Sequence, residues 1–453
     1  MRSTRAICAV TIAVIAFICS TGCLEAPRTE VKRNVLIVLW DAARARNLSV
    51  YGYGRSTTPY LQEFAESSAV FTQARSQTSY TLPSVVTILT STFPEVHGAY
   101  WEKMKEKNDF VCYTPDAGSE RYVQEILSSR DFWSVAIVGN RMLKNAKQLS
   151  DSFDTYRVLG GWKNTQAVTD LAISSIRKLR ESSWLLYVHY IDPHSPFDPP
   201  EPYRTEFFSP KNGNEPIEGD VRAFNDGAKE WDERDINGHR DMYDGELSYL
   251  DAEFKRLMEA LRASGVLDDT IVFVIADHGE AIGEHDDWLH GSVYEECIHI
   301  PMIVRFPNGQ YAGEYDFLVE TMDIGPTILR EQGLEIPENF GGHPLQEQIS
   351  RQWQRKVSYS RYFAKSAFVF SDGYKLICYG DECRGGLEVF DLNTDPLELR
   401  NLANLKPDLA QRMRAEAFQW KSNHVVFDVE TSALDGASLA DDAEALRALG
   451  YLD

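Results

Sequence analysis

The sequence predicts an α/β protein with a largely parallel central sheet, helices on both faces and a small C-terminal antiparallel subdomain. Three observations carry this. Four runs, NVLIVLW (34–40), SVAIVGN (134–140), WLLYVHY (184–190) and VFVIA (272–276), are apolar at nearly every position, as strands buried on both faces require. Helical patterns lie between them, in TPYLQEFAESS (58–68), NTQAVTDLAISSIRKLRE (164–181) and DGELSYLDAEFKRLMEALRASG (244–265), the last stopping on Gly265. From about residue 355, short strand-like runs and turns take over, in KVSYSRYF, SAFVFSDGYKLICYG and LEVFDLN.

The amino terminus is an address rather than part of the fold. Arg2 and Arg5 precede an apolar run from Ala6 to about Cys19, which closes on Ser20, Thr21 and Gly22 before Cys23. The run is short for a membrane span. STGC is similar to the lipobox of bacterial lipoproteins, so export to the bacterial cell envelope or periplasm is expected, with a lipid anchor on Cys23. Plain secretion and an uncleaved anchor are the alternatives. An oxidising compartment permits disulfides. Cys378 and Cys383 flank Gly380-Asp381 between strand-like runs, so a bridge across a short hairpin is expected there, the alternative being two unpaired thiols.

A formal charge of −22 argues against nucleic acid as a partner, because counterion release needs clustered Lys and Arg. With 43% hydrophobic residues, the chain can bury a large core. Residues 199–240, crowded with Pro, Gly, Asn and charge, read as a long loop or insertion facing substrate.

In doubly wound sheets, ligands collect at the carboxyl ends of strands. Asp41 ends the first run, and Asp277 and His278 end VFVIA, with His285 and His290 close behind. His189 and His194 lie in HYIDPH, and Thr81 opens TLPSVVTILTS. Taken singly, a strand-end Asp is more often a helix cap and a lone His a structural residue. Gathered at one edge, they read as a site for an anionic substrate, whose charge a metal would offset.

The chain resembles the sulfatase family of the alkaline phosphatase superfamily over roughly residues 34–400. The likeness rests on NVLIVLWDAARARNLSVYGYGRSTTPYLQEFAESSAVF, TLPSVVTILTSTFPEVHG, VHYIDPHSPFDPP, YDGELSYLDAEFKRLMEAL, IADHGEAIGEHDDWLHGSVYEECIHIPMIVRFP and VFDLNTDPLELRNLA. It implies a divalent metal held by Asp41, Asp277 and His278 with Thr81 as a further ligand. Zinc or manganese is favoured over calcium, because His278 stands where calcium-binding members often carry an amide. It also implies that His194 and His290 contact the ester oxygens or protonate the leaving group. Arg44 is retained from the first motif as a substrate contact, and His189 and His285 are either substrate-facing or structural. His97 matches a motif as well, with a role in holding its loop.

The resemblance departs from its pattern at the nucleophile. Thr81-Leu82-Pro83-Ser84-Val85 stands where sulfatases carry Cys or Ser in C/S-x-P-x-R, so no formylglycine is expected. Arg46 occupies a position where an acid is common, and GNRMLKNAKQL offers only Lys144 in place of a Lys–His pair. Phosphodiesterases and phosphoethanolamine or phosphoglycerol transferases of the superfamily use Thr at the nucleophile position, with a His twelve residues after Asp-His, the spacing of His278 and His290. The expected function is therefore a metal-dependent hydrolase or transferase acting on a phosphate mono- or diester through Thr81. The alternatives are a sulfuric ester hydrolase without formylglycine and a non-catalytic binding lipoprotein. The expected organisation is a signal peptide at 1–23, a linker at 24–33, a catalytic domain at 34–345, an antiparallel subdomain at 346–405 and a helical tail at 406–453.

Overall fold

The computed structural model describes residues 33–104, 109–113, 122–161, 164–208 and 232–425. Cys23 and the export segment lie outside them. The apolar runs form strands β1 (Asn34–Trp40), β3 (Phe132–Val138), β5 (Ser183–Tyr190) and β6 (Thr270–Ile275). Four further strands complete the sheet: β2 (Ala69–Arg75), β4 (Thr155–Val158), β7 (Met302–Arg305) and β8 (Gly313–Glu320). Their order is β8-β2-β7-β6-β1-β5-β3-β4, and every neighbouring pair is parallel except those made by β7. This is the expected largely parallel α/β arrangement. Strands β2, β7 and β8 lack a long apolar run, since β7 has four residues and β8 is half exposed, so the apolar pattern does not announce them.

Every residue of β1 is buried, and each large aliphatic side chain so placed contributes about 1.5–3 kcal/mol. Register then places the chemistry. Val35 to Trp40 pair with Leu185 to Tyr190, and Leu39 pairs with Ile275. Asp41, His189 and Asp277 consequently leave three adjacent parallel strands at one edge.

The helices used below are α1 (Pro59–Ala65), α2 (Thr81–Thr90), α3 (Thr165–Leu179), α4 (Glu233–Ala263), α5 (Ile324–Glu331) and α6 (Pro407–His424). Helix α2 is buried along its whole length, including its polar stripe of Thr81, Ser84, Thr87 and Thr90, so that stripe faces other protein groups rather than water. Helix α4 corrects the end of the long-loop expectation, because residues 233–240 are helical, while 209–231 lie outside the described residues. Asp232 caps it by accepting hydrogen bonds from the Arg234 and Asp235 backbone N–H groups, and Asp235 answers with its own carboxylate. The early turns bury polar residues such as His239 and Asp241, which disguises the period. Among the described residues, no helix is long and apolar enough to cross a membrane.

The small antiparallel sheet consists of β9 (Val357–Tyr362), β10 (Lys365–Phe370), β11 (Tyr374–Tyr379) and β12 (Gly386–Asp391), in that order. Cys378 and Cys383 are joined by a disulfide at the end of β11. Met413 and Ala417 of α6 share a core with Phe368 of this sheet and with Phe93 and Met322 of the larger unit. A buried ion cluster adds to the junction: the Lys375 ammonium lies 3.0 Å from Glu295 and 2.7 Å from Glu398, and Arg75 lies 2.7 Å from Glu295. Lys375→Ala would leave Glu398 buried without its cation. A loss of about 3–5 kcal/mol is expected from urea unfolding, with a smaller loss for Lys375→Arg.

Candidate active site

Two carboxylates and one imidazole meet where β1 and β6 end. Asp41 turns Oδ2 outward, where it accepts hydrogen bonds from Asn140 Nδ2 at 2.7 Å and His189 Nε2 at 2.9 Å. The other His189 nitrogen meets the Tyr187 hydroxyl at 3.0 Å, which fixes the ring. Asp277 Oδ1 accepts from the backbone N–H groups of Ala42 at 3.2 Å and His278 at 3.0 Å. The inner oxygens, Asp41 Oδ1 and Asp277 Oδ2, have no hydrogen-bond partner although both are fully buried.

His278 completes the group. Its Nδ1–H donates to the Gly279 carbonyl at 2.8 Å, so Nε2 carries the lone pair. That nitrogen lies 3.8 Å from Asp41 Oδ1 and 3.5 Å from Asp277 Oδ2. Gly279 admits no side chain here, since a Cβ would stand 2.1 Å from the Glu296 carbonyl oxygen.

One atom from each of Asp41, Asp277 and His278 lies within 4.8 Å of the other two. Two unsatisfied carboxylate oxygens and an imidazole lone pair fit a divalent cation, which would satisfy all three. The electrostatics agree. Burial and the neighbouring Asp41 charge push Asp277 up to about 7. Asp41 lies below the ordinary carboxylate range: burial opposes this, but the His189 hydrogen bond and the nearby imidazoles outweigh it.

Thr81, the first residue of α2, brings its hydroxyl to 3.3 Å from His278 Nε2. Two further imidazoles stand beside it. His194 Nδ1–H donates to the Ser195 carbonyl at 2.6 Å, and His290 Nδ1–H to the Ser79 carbonyl at 2.9 Å. Both rings therefore turn Nε2 inward, where the two nitrogens meet at 3.3 Å. At that distance a proton placed on either Nε2 would be shared with the other. His290 is driven well below its ordinary value, first by burial and then by His278 and His194. The geometry thus sets a hydroxyl beside the cation position and, close by, two imidazole nitrogens that can exchange a weakly held proton.

Three of the sequence candidates sit elsewhere. His189 holds Asp41 from behind and does not face a substrate. Arg44 is buried against Asn47, the Glu280 carbonyl and Glu284, with its guanidinium over Tyr243, so its donors serve the loop after β1. His285 pairs with Glu296 at 2.8 Å, reaches the Glu398 carbonyl at 3.2 Å and stacks on Tyr294. Burial alone would lower His285, but the Glu296 carboxylate raises it to about 9, as befits a structural cation. His97 holds its loop by accepting from the Ala99 N–H and bonding Thr87. Lys144 lies exposed in the turn Arg141–Asn145.

Sequence reasoning missed Asn140 and Glu280. Asn140 ends a run identified as a buried strand, so the edge rule that found Asp41 could have found it. Glu280 is buried with one carboxylate oxygen unpartnered and the other accepting from the Ser195 N–H at 3.4 Å. Burial holds its carboxyl far above the usual range.

Residues 33–333 match the family model described as Sulfatase, and residues 283–420 match that of N-sulphoglucosamine sulphohydrolase, C-terminal. Arylsulfatase K of Xenopus laevis is 24% identical over 440 residues, covering 84% of this chain and 81% of its own. An arylsulfatase of Clostridium perfringens is 27% identical over 262 residues, so the chain spans 53% of that relative's length. Phosphonate monoester hydrolase of Agrobacterium radiobacter shares the fold with a TM-score of 0.67 at 19% identity, over 86% of this chain and 96% of that one. A 2-O GAG sulfatase does so with a TM-score of 0.69 at 17% identity, over 92% and 96%.

If the acid–imidazole cluster holds a cation, a divalent metal at about 100-fold its Kd should stabilise the chelator-treated protein by about 2.7 kcal/mol. Asp277→Asn should abolish that gain. It should also raise the melting temperature of the metal-free protein, because it removes the repulsion with Asp41. A wild-type melting temperature that ignores zinc and manganese would count against the site.

Proposed function

The chain belongs to the sulfatase family, and from that premise we propose that it is a metal-dependent hydrolase of anionic esters with Thr81 as its attacking residue. The observation that carries this is the Thr81 hydroxyl, 3.3 Å from His278 Nε2 and beside the two unsatisfied carboxylate oxygens. Asp41, Asp277 and His278 would hold the cation, with Thr81 Oγ1 as a fourth donor. Mixed oxygen and imidazole donors suit zinc or manganese better than calcium. When bound, the ion offsets the charge of the ester and favours the deprotonated hydroxyl.

The chain's own residues supply the rest. Thr81 Oγ1, its proton released to bulk water, attacks the central sulfur or phosphorus of the ester. The bond to the alcohol oxygen breaks as that oxygen takes a proton from the His194–His290 pair; water then opens the threonyl ester, and the proton it gives up restores the pair. Asn140 and His189 keep the Asp41 carboxylate aimed inward throughout.

The relatives' names weigh toward a sulfuric ester as substrate, because the matched proteins include arylsulfatases and a GAG sulfatase. Thr81 favours a second reading, a phosphate or phosphonate ester. A threonyl sulfate lacks the collapse to an aldehyde that formylglycine provides, whereas a threonyl phosphate can be opened at phosphorus by water or an acceptor alcohol. The same fold serves a phosphonate monoester hydrolase.

Metal-loaded protein assayed on 4-nitrophenyl sulfate, 4-nitrophenyl phosphate and a 4-nitrophenyl phosphonate ester separates the two readings by which anion is released fastest. Thr81→Ala should lower kcat by more than about 10³-fold with metal retained, and Thr81→Ser should keep part of the activity. His290→Ala should slow alkyl esters by about 10²–10⁴-fold and nitrophenyl esters less, since a poor leaving group depends more on the acid. Failure to cleave any of these esters, or full turnover by Thr81→Ala, would refute the proposal. We further propose that the chain is exported and carries lipid on Cys23. The mature protein should then begin at Cys23 and partition with membranes, and intact mass showing another unmodified start would rule this out.

A further inference from the structure

The hairpin joining β9 to β10 belongs to the small sheet, yet it is tied to both segments that deliver the catalytic groups. Ser360 Oγ donates to the Ser76 carbonyl at 2.5 Å, and the Arg361 N–H donates to the Gln77 carbonyl at 2.8 Å, on the stretch leading to Thr81. Lys365 Nζ donates to the Gly291 carbonyl at 3.2 Å, next to His290. The turn between them is Phe363-Ala364, since Tyr362 pairs with Lys365.

Phe363 is an unusual residue for such a turn. Its φ of 46° lies in the left-handed region, where Gly or Asn avoids the strain, and its ring is 65% exposed. Burial therefore does not explain it. Its ring lies edge-on to Tyr362 at 4.8 Å and to Tyr80 at 6.3 Å, and Tyr80 in turn lies edge-on to His290 at 5.3 Å. Tyr362 and Tyr80 also touch, at 5.8 Å. The three rings make an aromatic wall that starts against His290 and runs outward to solvent. The anionic end of an ester has no use for such a wall, but the alcohol end leaves from His290.

We propose that Phe363, backed by Tyr362 and Tyr80, is the specificity-determining face on which the ring of a ring-bearing alcohol stacks while its ester sits at Thr81. This rests on the reading of the site as an ester hydrolase and adds the class of alcohol. The recognition is that of an apolar ring face against π-systems, which either a planar aryl ring or a puckered sugar-like ring supplies.

Non-hydrolysable probes separate this from the hydrolase reading. Binding of phenylphosphonate, cyclohexylphosphonate and methylphosphonate to metal-loaded full-length protein is measured by calorimetry. Wild type should bind at least one ring probe about 10-fold tighter than methylphosphonate, with the phenyl and cyclohexyl arms telling planar from puckered rings. Phe363→Ala should bring the ring probes to the methylphosphonate level and leave methylphosphonate itself unchanged, and Phe363→Tyr should keep the preference. Phe363→Gly, which suits the turn, should match Phe363→Ala and fold at least as well as wild type. Equal affinities in wild type, no binding of any probe, or a preference that survives Phe363→Ala would overturn the proposal. A Phe363-dependent preference in a protein that cleaves no ester would uphold the aromatic face and defeat the hydrolase reading instead.

Discussion

Two carboxylates that repel each other in a dry interior are the constraint around which this molecule is built. Asp41 and Asp277 are wholly buried, and each has one oxygen satisfied from behind and one left bare. Such an arrangement is unstable unless something holds the pair together. The holding falls to adjacent strands: β1 and β6 run parallel in fixed register, so their carboxyl ends cannot drift apart. Asn140 and His189 come from the ends of β3 and β5 to occupy the rear of Asp41. The Ala42 and His278 amides do the same for Asp277. The order of the strands in the sheet is thus also the order of supports around the cluster.

A similar logic applies to the imidazoles. His278, His194 and His290 each give Nδ1–H to a nearby backbone carbonyl, of Gly279, Ser195 and Ser79 respectively. Two bonds to the next residue and one across the chain, from His290 to Ser79, therefore aim three Nε2 atoms inward. Such control is more rigid than one side chain steering another, because the carbonyls belong to segments pinned by the sheet. Thr81 gains equal precision from α2, whose burial on every side leaves it no room to rotate.

What the sequence disclosed follows from the same physics. Asp41, Asp277 and His278 were legible because unbroken apolar runs betray buried parallel strands, and the residues just past such runs share an edge. Thr81, His194 and His290 were legible through motifs, and the structure gathers them around His278. Arg44 is not placed as a substrate contact, because a sequence does not reveal that Glu284 claims it, and of the two readings open for His285 the structural one fits its pairing with Glu296. The start of α4 stayed hidden because its first turns bury polar side chains. Asn140 was overlooked because a neutral amide does not look chemical. Motif logic through Thr81 points to phosphate, and the relatives' names point to sulfate.

The β9–β10 hairpin places part of the active-site rim in the last third of the chain, whereas every residue of the acid–imidazole cluster lies between Asp41 and His290. A chain made and folded from its amino terminus would assemble the acid–imidazole cluster and Tyr80 first, and acquire Tyr362 and Phe363 only when the small sheet docks through Lys375. On the proposed reading, the reactive groups and most of the ring-facing surface lie in separate stretches, so substitutions in the carboxyl-terminal third would change which alcohols are accepted while the cluster upstream stays fixed.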